Sequence, residues 1–391
     1  MGLSLKSKRL RQAQPEIQIP MELVTEILTS LPTKSLMRFN CVSKLLSSLI
    51  RSQYFTNRIH KFPSQRLYMC LSVRNDNRKT VILSSAPDAT TTTTTPSTSF
   101  VVNHELTIPY MNLRNMQSLC GFMCEGNSYF RMPRIYNPAT RQLVNLPTRY
   151  SDSRQKSRAF YYFGHDPVNN QYKVCSIEVQ NPEHWVLVLK PGASWKKAAP
   201  TSFDFCPYPQ PGISINGVIY YMAFADKYKY NYIVMLVSFD IGSEEFETIQ
   251  MPPIEVTSDK VRLIEYDGKL TVFEHTHLME KGKVHLWVLK DVGNKEWSRK
   301  TLVLKHSQFH LVDFDRGIGF DVKGTSQSGK VLLIPKYFCS PLHILCYDLQ
   351  SNDMRKIDIK GIPEHCFSNG RYEFVDLMFM DQSESILYLE T

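Results

Sequence analysis

The sequence lacks several features that would place it in a membrane or a secretory compartment. No apolar run approaches the twenty residues that a membrane-spanning helix needs. The first residues, MGLSLKSKRLRQAQ, are polar and basic and have no apolar centre of the kind found in secretory signals. The nine cysteines are odd in number and scattered, with no Cys-x-x-Cys unit. These absences predict a protein of the cytoplasm, the nucleus or both, without a membrane partner.

Recognisable catalytic patterns are missing as well. No pair of carboxylates, no Ser-His-Asp set and no Gly-rich phosphate loop can be identified from spacing. Asp166, Asp240 and Asp348 lie beside predicted turns, where an aspartate usually accepts hydrogen bonds from its own backbone. The sequence therefore predicts a protein that is not an enzyme and has no cofactor.

A metal site is not predicted either. Cys120 and Cys124 lie in the alternating segment SLCGFMC, which favours ordinary packing in a strand. His275 and His277 share one face of a predicted strand, but no third ligand is evident. Both pairs are interpreted as core or surface positions.

The composition is that of an ordinary globular protein, with 42% apolar and 21% charged residues, but the charge is uneven. Residues 1–80 hold 14 basic and 4 acidic residues, a net +10, whereas the rest of the chain sums to −1. The neutral main body argues against nucleic-acid binding, which normally requires a basic stripe. The basic N-terminal part favours a partner with an acidic surface. Residues 1–16 are predicted to form a basic, disordered tail.

Three short amphipathic helices are predicted between Ile19 and Ile50. Pro20 suits the first turn of a helix, Pro32 ends that helix, and Thr33 is predicted to cap the next one. Apolar residues recur along the helices at three- and four-residue spacing: Leu23, Val24, Ile27, Leu28 and Leu31; Leu36, Met37 and Phe39; and Val42, Leu45, Leu46, Leu49 and Ile50. Helices this short cannot bury all of these side chains among themselves. The segment is therefore predicted to dock on another surface.

The order of these residues resembles the F-box. The matching positions are Ile19-Pro20, Glu22-Leu23, Ile27-Leu28, Leu31-Pro32, Ser35-Leu36, Arg38-Phe39, Val42-Ser43-Lys44 and Phe55. One position departs from the family, which usually carries Trp two residues after the lysine, where this chain has Leu46. Leucine keeps that position apolar but offers less contact area. The resemblance assigns residues 17–61 to an F-box.

An F-box binds a Skp-family adaptor, which connects it to a cullin scaffold and a RING subunit, so the resemblance implies these partners. The residues predicted to dock on the adaptor are Pro20, Leu23, Ile27, Leu28, Leu31, Pro32, Leu36, Phe39, Val42, Leu46 and Leu49. Some of them must instead hold the three helices together.

Two other interpretations of this segment are possible. The apolar residues could simply form the core of a helical subdomain. Alternatively, the segment could form a DNA-binding helix-turn-helix, since four basic residues lie along it: Lys34, Arg38, Lys44 and Arg51. The third helix lacks the run of Asn, Gln and Arg that reads base edges, which disfavours DNA binding.

From about residue 62 the pattern becomes that of β-strands, and it repeats. Apolar strand ends lead into polar turns at equivalent points spaced by 52, 51, 51 and 57 residues: Asn137, Leu189, Asp240, Asp291 and Asp348. Tight hairpin turns are also predicted at Asn216-Gly217, Asp267-Gly268 and Ser328-Gly329. Two hairpins per repeat make a four-stranded unit of about fifty residues, the size of a kelch-like propeller blade.

The predicted fold class is thus α+β and multi-domain, with a small three-helix F-box followed by a mainly β domain over residues 62–391. A β-propeller of about six blades is predicted, and a stack of β-sandwiches is the alternative. Residues 87–100, PDATTTTTTPSTSF, are predicted to be a disordered surface loop. The segment SILYLET, residues 385–391, could close the ring by pairing with LYMCLSVR, residues 67–74.

The β region resembles the F-box-associated interaction domain of a very large plant family. The resemblance covers roughly residues 117–360 and is carried by SLCGFMC, YNPATRQLVNLP, FGHDPVNNQYKV, NGVIYY, VSFDIGSEEFETIQMP, YDGKLTVF and WVLKDVGNKEWSR, in that order. His165 stands where the family more often has Tyr. The two resemblances together imply a non-catalytic adaptor of an SCF-type ubiquitin ligase, whose β domain binds an unknown target protein for ubiquitination and proteasomal degradation. A propeller scaffold outside any ligase is the alternative, and a propeller enzyme is a third possibility.

Overall fold

The structure is a computed structural model, and it divides the chain into two compact units, residues 1–59 and 60–391. It describes residues 19–31, 33–52, 54–55, 58, 66–72, 79–87, 99–109, 111, 115–128, 133–147, 158–179, 183–199, 205–225, 233–254, 260–291, 293, 295–312, 319–325, 329–335, 341–364, 375–380 and 389. The boundary lies two residues before the predicted one. The predicted tail, residues 1–16, lies outside the described residues.

The first unit contains the three predicted helices: α1 Met21–Thr29, α2 Thr33–Phe39 and α3 Lys44–Ile50. Pro20 precedes α1 with a φ of −52°, and its carbonyl oxygen accepts a hydrogen bond from the backbone N–H of Val24 at 3.1 Å. Ser43 caps α3, because its Oγ accepts a hydrogen bond from the backbone N–H of Leu46 at 3.1 Å. Thr33 is the first residue of α2, one position later than a cap.

The second unit is built mainly from β-strands. In chain order, the strands of the described residues are β1 Arg66–Ser72, β2 Lys79–Pro87, β3 Ser99–Pro109, β4 Gln117–Leu119, β5 Phe122–Cys124, β6 Asn127–Ser128, β7 Arg134–Asn137, β8 Gln142–Asn145, β9 Ala159–Asp166, β10 Gln171–Glu178, β11 His184–Val188, β12 Lys196–Lys197, β13 Cys206–Pro207, β14 Ile213–Ile215, β15 Val218–Phe224, β16 Val234–Asp240, β17 Phe246–Ile249, β18 Val261–Tyr266, β19 Lys269–Glu274, β20 Lys283–Asp291, β21 Glu296–Val303, β22 Phe320–Thr325, β23 Lys330–Pro335, β24 His343–Asp348, β25 Asp353–Lys360 and β26 Val375–Met380. A short helix, α4 Leu278–Lys281, follows β19, and a 3₁₀ helix spans His306–Leu311. A small helical unit followed by a mostly β domain confirms the predicted fold class.

The strands fall into antiparallel groups that largely follow one another along the chain; the exceptions are β6, which pairs with β9, and β26, which pairs with β1. Within the described part of the chain these are group 1 (β26, β1, β2 and β3), group 2 (β4, β5, β7 and β8), group 3 (β6 and β9 to β12), group 4 (β13 to β17), group 5 (β18 to β21) and group 6 (β22 to β25). Groups 1 and 6 join through a parallel pairing of β25 with β3. The grouping agrees with the predicted repeat of about fifty residues, although groups 3 and 4 have five strands each and not the predicted four.

Buried apolar clusters connect the groups in cyclic order. Tyr68 and Tyr136 belong to a cluster between groups 1 and 2, and further clusters join groups 2 and 3, 3 and 4, 4 and 5, and 5 and 6. A cluster containing Leu67 and Ile344 then joins group 6 back to group 1. Sheets packed face to face around a ring are the arrangement of propeller blades. The exact number of blades stays a prediction.

The strand that completes group 1 comes from near the end of the chain, although it is not the predicted one. Val375–Met380 pairs antiparallel with β1, with Leu71 opposite Val375 and Arg66 opposite Met380. The predicted segment, residues 385–391, is therefore not the one that pairs with β1. Closure by an apolar C-terminal strand is confirmed, but its position was predicted ten residues too late.

The repeated turn residues cap the backbone, as predicted for the aspartates. Asn137 Oδ1 accepts backbone N–H groups at 3.0 and 3.3 Å, and Asp348 Oδ1 does so at 3.0 and 3.1 Å. Asp240 and Asp291 each accept one at 2.8 Å. Asp166 closes the turn after β9 in the same way, at 2.9 and 3.1 Å. These side chains are occupied in forming turns.

The tight hairpin turns also form where predicted. Asn216 and Gly217 have φ values of 50° and 82°, and Asp267 and Gly268 have 53° and 70°. Positive φ at both central residues is the signature of a type I′ turn, which Asn-Gly and Asp-Gly favour. At the third position Gly329 has a φ of 73°, while Ser328 lies outside the described residues.

Three local predictions are wrong. Cys120 and Gly121, with φ values of 48° and 83°, form a tight turn between β4 and β5, so SLCGFMC is a hairpin rather than one strand. His275 and His277 lie beyond the end of β19, before α4, and share no strand face. The predicted loop 87–100 is too long at both ends, because Pro87 pairs with Phe100 in the ladder between β2 and β3. Residues 88–98 lie outside the described residues.

His184 gives a testable pH dependence. The imidazole is buried, between the rings of Phe205 (5.2 Å) and Phe246 (4.5 Å), and this burial lowers its pKa to about 4. In an unfolded chain a histidine has a pKa of about 6.5. As the pH falls from 6.5 towards 4, His184 becomes protonated in the unfolded chain but stays neutral in the folded chain. The folded state should therefore lose about 2 kcal/mol of stability between pH 7 and pH 5.

The measurement is urea unfolding at pH 7 and pH 5. The variant His184→Phe keeps an aromatic ring and removes the proton site, so its loss of stability over this interval should be smaller by about 2 kcal/mol. An equal loss in the variant and the wild type would show that other groups cause the pH dependence.

Candidate functional site

The helical unit exposes most of the large apolar side chains found on the surface of the described residues. Eight of eleven lie between residues 19 and 54, and the other three, Val168, Ile233 and Val303, are scattered over the second unit. The eight are Ile19, Met21, Leu23, Ile27, Phe39, Val42, Leu45 and Tyr54. Exposed apolar residues that concentrate in one small unit mark an interaction surface.

The predicted docking residues divide by burial. Those that are exposed are Pro20, Leu23, Ile27, Phe39 and Val42; those that are partly exposed are Leu31, Leu46 and Leu49; and those that are buried are Leu28 and Leu36. Pro32 lies outside the described residues. Leu28 and Leu36 are thus positioned to stabilise the fold, as was expected of part of the set. The exposed group forms the candidate docking surface.

Two faces of α1 explain part of this division. Leu23 and Ile27 are four residues apart and lie on an exposed face, at 51% and 54% exposure. Thr25, Leu28 and Thr29 are the buried residues of α1. The threonines tolerate burial because their hydroxyls donate hydrogen bonds to backbone carbonyl oxygens within the helix, at 2.8 and 2.9 Å. The apolar residues of α1 therefore do not coincide with its buried face, because Leu23 and Ile27 are exposed while Thr25 and Thr29 are buried.

In α3 the most exposed large apolar residue lies outside the predicted docking set. Leu45 is exposed and was not included in the predicted docking set, whereas the predicted Leu46 is only partly exposed. Successive residues on a helix differ by about 100° in direction, so two adjacent leucines cannot share one face. The sequence signal that could have found Leu45 is its four-residue spacing from Leu49, which places the two leucines on the same side of α3.

A shallow groove of about 500 Å³ lies where α2 turns into α3. Its lining combines apolar, hydroxyl and basic side chains: Asn40, Cys41, Val42, Ser43, Lys44, Ser47, Ser48 and Arg51. Val42 and Lys44 are exposed beside each other at this groove. An exposed apolar residue next to a cation is suited to a partner whose apolar surface is bordered by acidic groups.

Titratable groups of the second unit are perturbed in ways that serve the fold. Burial raises the pKa of the Cys346 thiol to about 11 and that of Cys124 further, which disfavours a reactive thiolate at either position. A hydrogen bond from Arg355 lowers the pKa of Asp353 to about 2.

In the described part of the chain, no three His, Cys, Asp or Glu side chains are placed to share a metal ion. No helix in that part is long and apolar enough to cross a membrane.

Comparison with known proteins identifies both units. The F-box domain model matches residues 17–58, and the model of the F-box associated beta propeller domain matches residues 66–383. These matches define an F-box protein whose second unit is propeller-like. The chain belongs to the plant F-box proteins that carry an F-box-associated β-propeller domain.

Similar proteins match this sequence over nearly its whole length. An F-box protein of Arabidopsis thaliana is 42% identical, over 99% of this chain and 98% of the relative. An F-box/kelch-repeat protein of the same plant is 37% identical, over 96% of this chain and 91% of the relative. Among solved structures, a mutant of the Synechocystis apocarotenoid oxygenase matches 75% of this chain and 77% of its own, with 8% identity and a TM-score of 0.38. A similarity that low supports no statement about this chain.

Proposed function

We propose that this protein is the target-recognition subunit of an SCF-type ubiquitin ligase. Its F-box docks on a Skp-family adaptor, which connects it to a cullin and a RING subunit, and its propeller-like domain binds the protein to be ubiquitinated and degraded. Membership of the F-box family supports the adaptor contact. We expect the complex to act in the cytoplasm, the nucleus or both.

The observation that carries the proposal is the exposed apolar surface of the helical unit. Leu23, Ile27, Phe39, Val42 and Leu45 are each between 38% and 68% exposed. Burying an apolar side chain completely is worth about 1.5–3 kcal/mol, and roughly half of that remains to be gained here. Five such residues together could supply about 4–8 kcal/mol, and a micromolar complex corresponds to about 8 kcal/mol. Apolar docking on this surface is therefore a substantial favourable contribution, from which the cost of association is subtracted.

The chain's contribution to ubiquitination would be positioning. Holding a target in the same complex as the conjugating machinery raises the local concentration of its lysines, and tethering of this kind accelerates a reaction without any catalytic group in the tether. The relatives reported above are named F-box proteins, and their names include no enzyme activity. We therefore propose a non-catalytic role.

Binding of the purified full chain to a Skp-family adaptor tests this proposal. We expect micromolar or tighter binding, and we expect a variant with Leu31→Ala and Pro32→Ala to lose it while the β unit stays folded. The reason is that these residues follow α1 and end the predicted docking stripe. Circular dichroism and urea unfolding of the variant verify the fold.

A folded chain that binds none of several Skp-family adaptors would contradict the proposal. It would show that Leu46, where the family usually has Trp, marks an F-box that no longer docks. The protein would then act as a binding scaffold outside a ligase.

A further inference from the structure

The C-terminal part of the chain makes an unusual contact with group 2. Gln142 lies in β8, the outermost strand of group 2, and its side-chain amide forms hydrogen bonds with both the N–H and the C=O of Leu389. Its Nε2 donates a hydrogen bond to the carbonyl oxygen of Leu389 at 2.7 Å, and its Oε1 accepts one from the Leu389 backbone N–H at 2.9 Å. The two residues are 247 positions apart. The Gln142 amide therefore pairs with both backbone polar groups of a residue that is distant in the sequence.

The side chain of Leu389 is held as well. It is only 7% exposed and belongs to the buried cluster between groups 2 and 3, together with Val144 and Phe122. Val144 lies two residues after Gln142 in β8, so both side chains point to the same face of the strand. Leu389 thus combines paired main-chain hydrogen bonds with burial of an aliphatic side chain.

Other residues near this contact also join groups 2 and 3. Trp195, which packs against the same cluster from group 3, donates its Nε1–H to the carbonyl oxygen of Pro147 at 2.8 Å. Its ring centroid lies 6.2 Å from that of Tyr161. Group 2 and group 3 are therefore linked across the cluster by residues other than Leu389. The cluster has its own support and does not depend on the C-terminal residue alone.

This combination is a mode of peptide recognition. Hydrogen bonds to an N–H and a C=O of one residue can be made to any extended segment, whereas a pocket for one side chain selects its type. The selected type here is leucine. We propose that Gln142 and the cluster between groups 2 and 3 form a binding site for an extended, leucine-bearing segment of a partner protein, and that Leu389 of this chain is its resident, exchangeable occupant.

The resident segment acts as an intramolecular competitor. Leu389 lies nine residues after Met380, the last residue of β26, so its reach is limited by a short connection. Short tethers give effective concentrations on the order of 1 mM. With an intrinsic dissociation constant of about 100 µM for Leu389 itself, a partner segment would therefore bind the intact protein about tenfold more weakly than a protein with the site vacated. This inference rests on the Gln142 contacts and is independent of adaptor binding.

Fluorescence anisotropy with a labelled peptide tests the proposal. The probe is the ten-residue peptide QSESILYLET, which has the sequence of residues 382–391. The full chain with Leu389→Asp, which weakens the resident occupant, should bind this peptide at least tenfold more tightly than the wild type. Adding Gln142→Ala to that variant should weaken binding at least tenfold, because both main-chain hydrogen bonds are lost. A peptide with aspartate in place of the leucine that corresponds to Leu389 should not bind.

Two outcomes would overturn the proposal: a folded Leu389→Asp chain that binds the peptide no better than the wild type, or binding that Gln142→Ala leaves unchanged. Should Leu389→Asp fail to fold, carboxypeptidase digestion of the wild type and of Gln142→Ala replaces the comparison. Release of the C-terminal residues should be at least tenfold faster in Gln142→Ala, and excess unlabelled peptide, amidated at its C-terminus so that the enzyme does not digest it, should accelerate release from the wild type. Equal rates in all three conditions would exclude an exchangeable occupant.

Discussion

Replacing Ile27 by aspartate is expected to weaken binding to a Skp-family adaptor at least a hundredfold without unfolding the protein. Ile27 is 54% exposed, one helical turn from the equally exposed Leu23. In the free protein an aspartate at this position stays in water at little cost. In the complex it would be buried in an apolar contact, and an unpaired charge there costs several kcal/mol. Titration calorimetry with the purified adaptor gives the change in affinity.

Val168→Asp is the matched control. Val168 is the most exposed large apolar residue among the described ones, at 89%, and lies in a turn of the second unit after β9. The same chemical change at this position should leave adaptor affinity unchanged. Leu28→Ala provides a contrast, since Leu28 is buried and its loss should destabilise the helical unit itself. Normal adaptor binding by a folded Ile27→Asp protein would show that this face of α1 is not the docking surface.

Removing the carboxylate of Glu125 should cost about 3–5 kcal/mol of stability. Glu125 and Arg134 form an almost fully buried ion pair between β5 and β7, with 2.9 Å between Arg134 Nη2 and Glu125 Oε1. Oε2 of the same carboxylate accepts the backbone N–H of Arg134 at 3.0 Å. In Glu125→Ala the guanidinium would stay buried without its counter-charge. Urea unfolding of this variant and the wild type measures the cost.

The double variant Glu125→Met/Arg134→Met separates charge burial from packing. Replacing both members of a buried ion pair by apolar residues of similar volume is often close to neutral, whereas removing one member is not. We expect the double variant to regain most of the lost stability. A single variant that costs less than about 1 kcal/mol would mean that water or another anion reaches Arg134.

Local signals predicted most of the architecture. Pro20, Pro32 and the leucine spacing each act within one or two helical turns, so the three helices could be predicted from neighbouring residues alone. The same holds for Asn216-Gly217 and Asp267-Gly268, whose positive φ values follow from residue type. The period of the strand units follows because each unit repeats the same turn chemistry.

Long-range pairing could not be predicted in this way. The segments 375–380 and 385–391 are both short and largely apolar, and nothing local says which of them pairs with a strand some 300 positions earlier. The contact between Gln142 and Leu389 has the same origin, because a glutamine in a strand carries no signal of a distant backbone partner. Which residues of α1 are buried could not be predicted for a different reason, since two of them are polar. Thr25 and Thr29 look like surface residues until their hydroxyls are assigned to the helix backbone.

The pairing of β1 with β26 has a consequence for how the protein is made. Some 300 residues separate the end of β1 from the start of β26, and translation at about 5–20 residues per second takes roughly 15–60 s to cover them. Throughout that time β1 has left the ribosome without its final neighbour, and its exposed edge can pair with other chains or recruit chaperones. The three F-box helices precede β1 in the chain and so leave the ribosome long before β26 is made. We therefore expect an adaptor that recognises these helices to meet them while the propeller is still open.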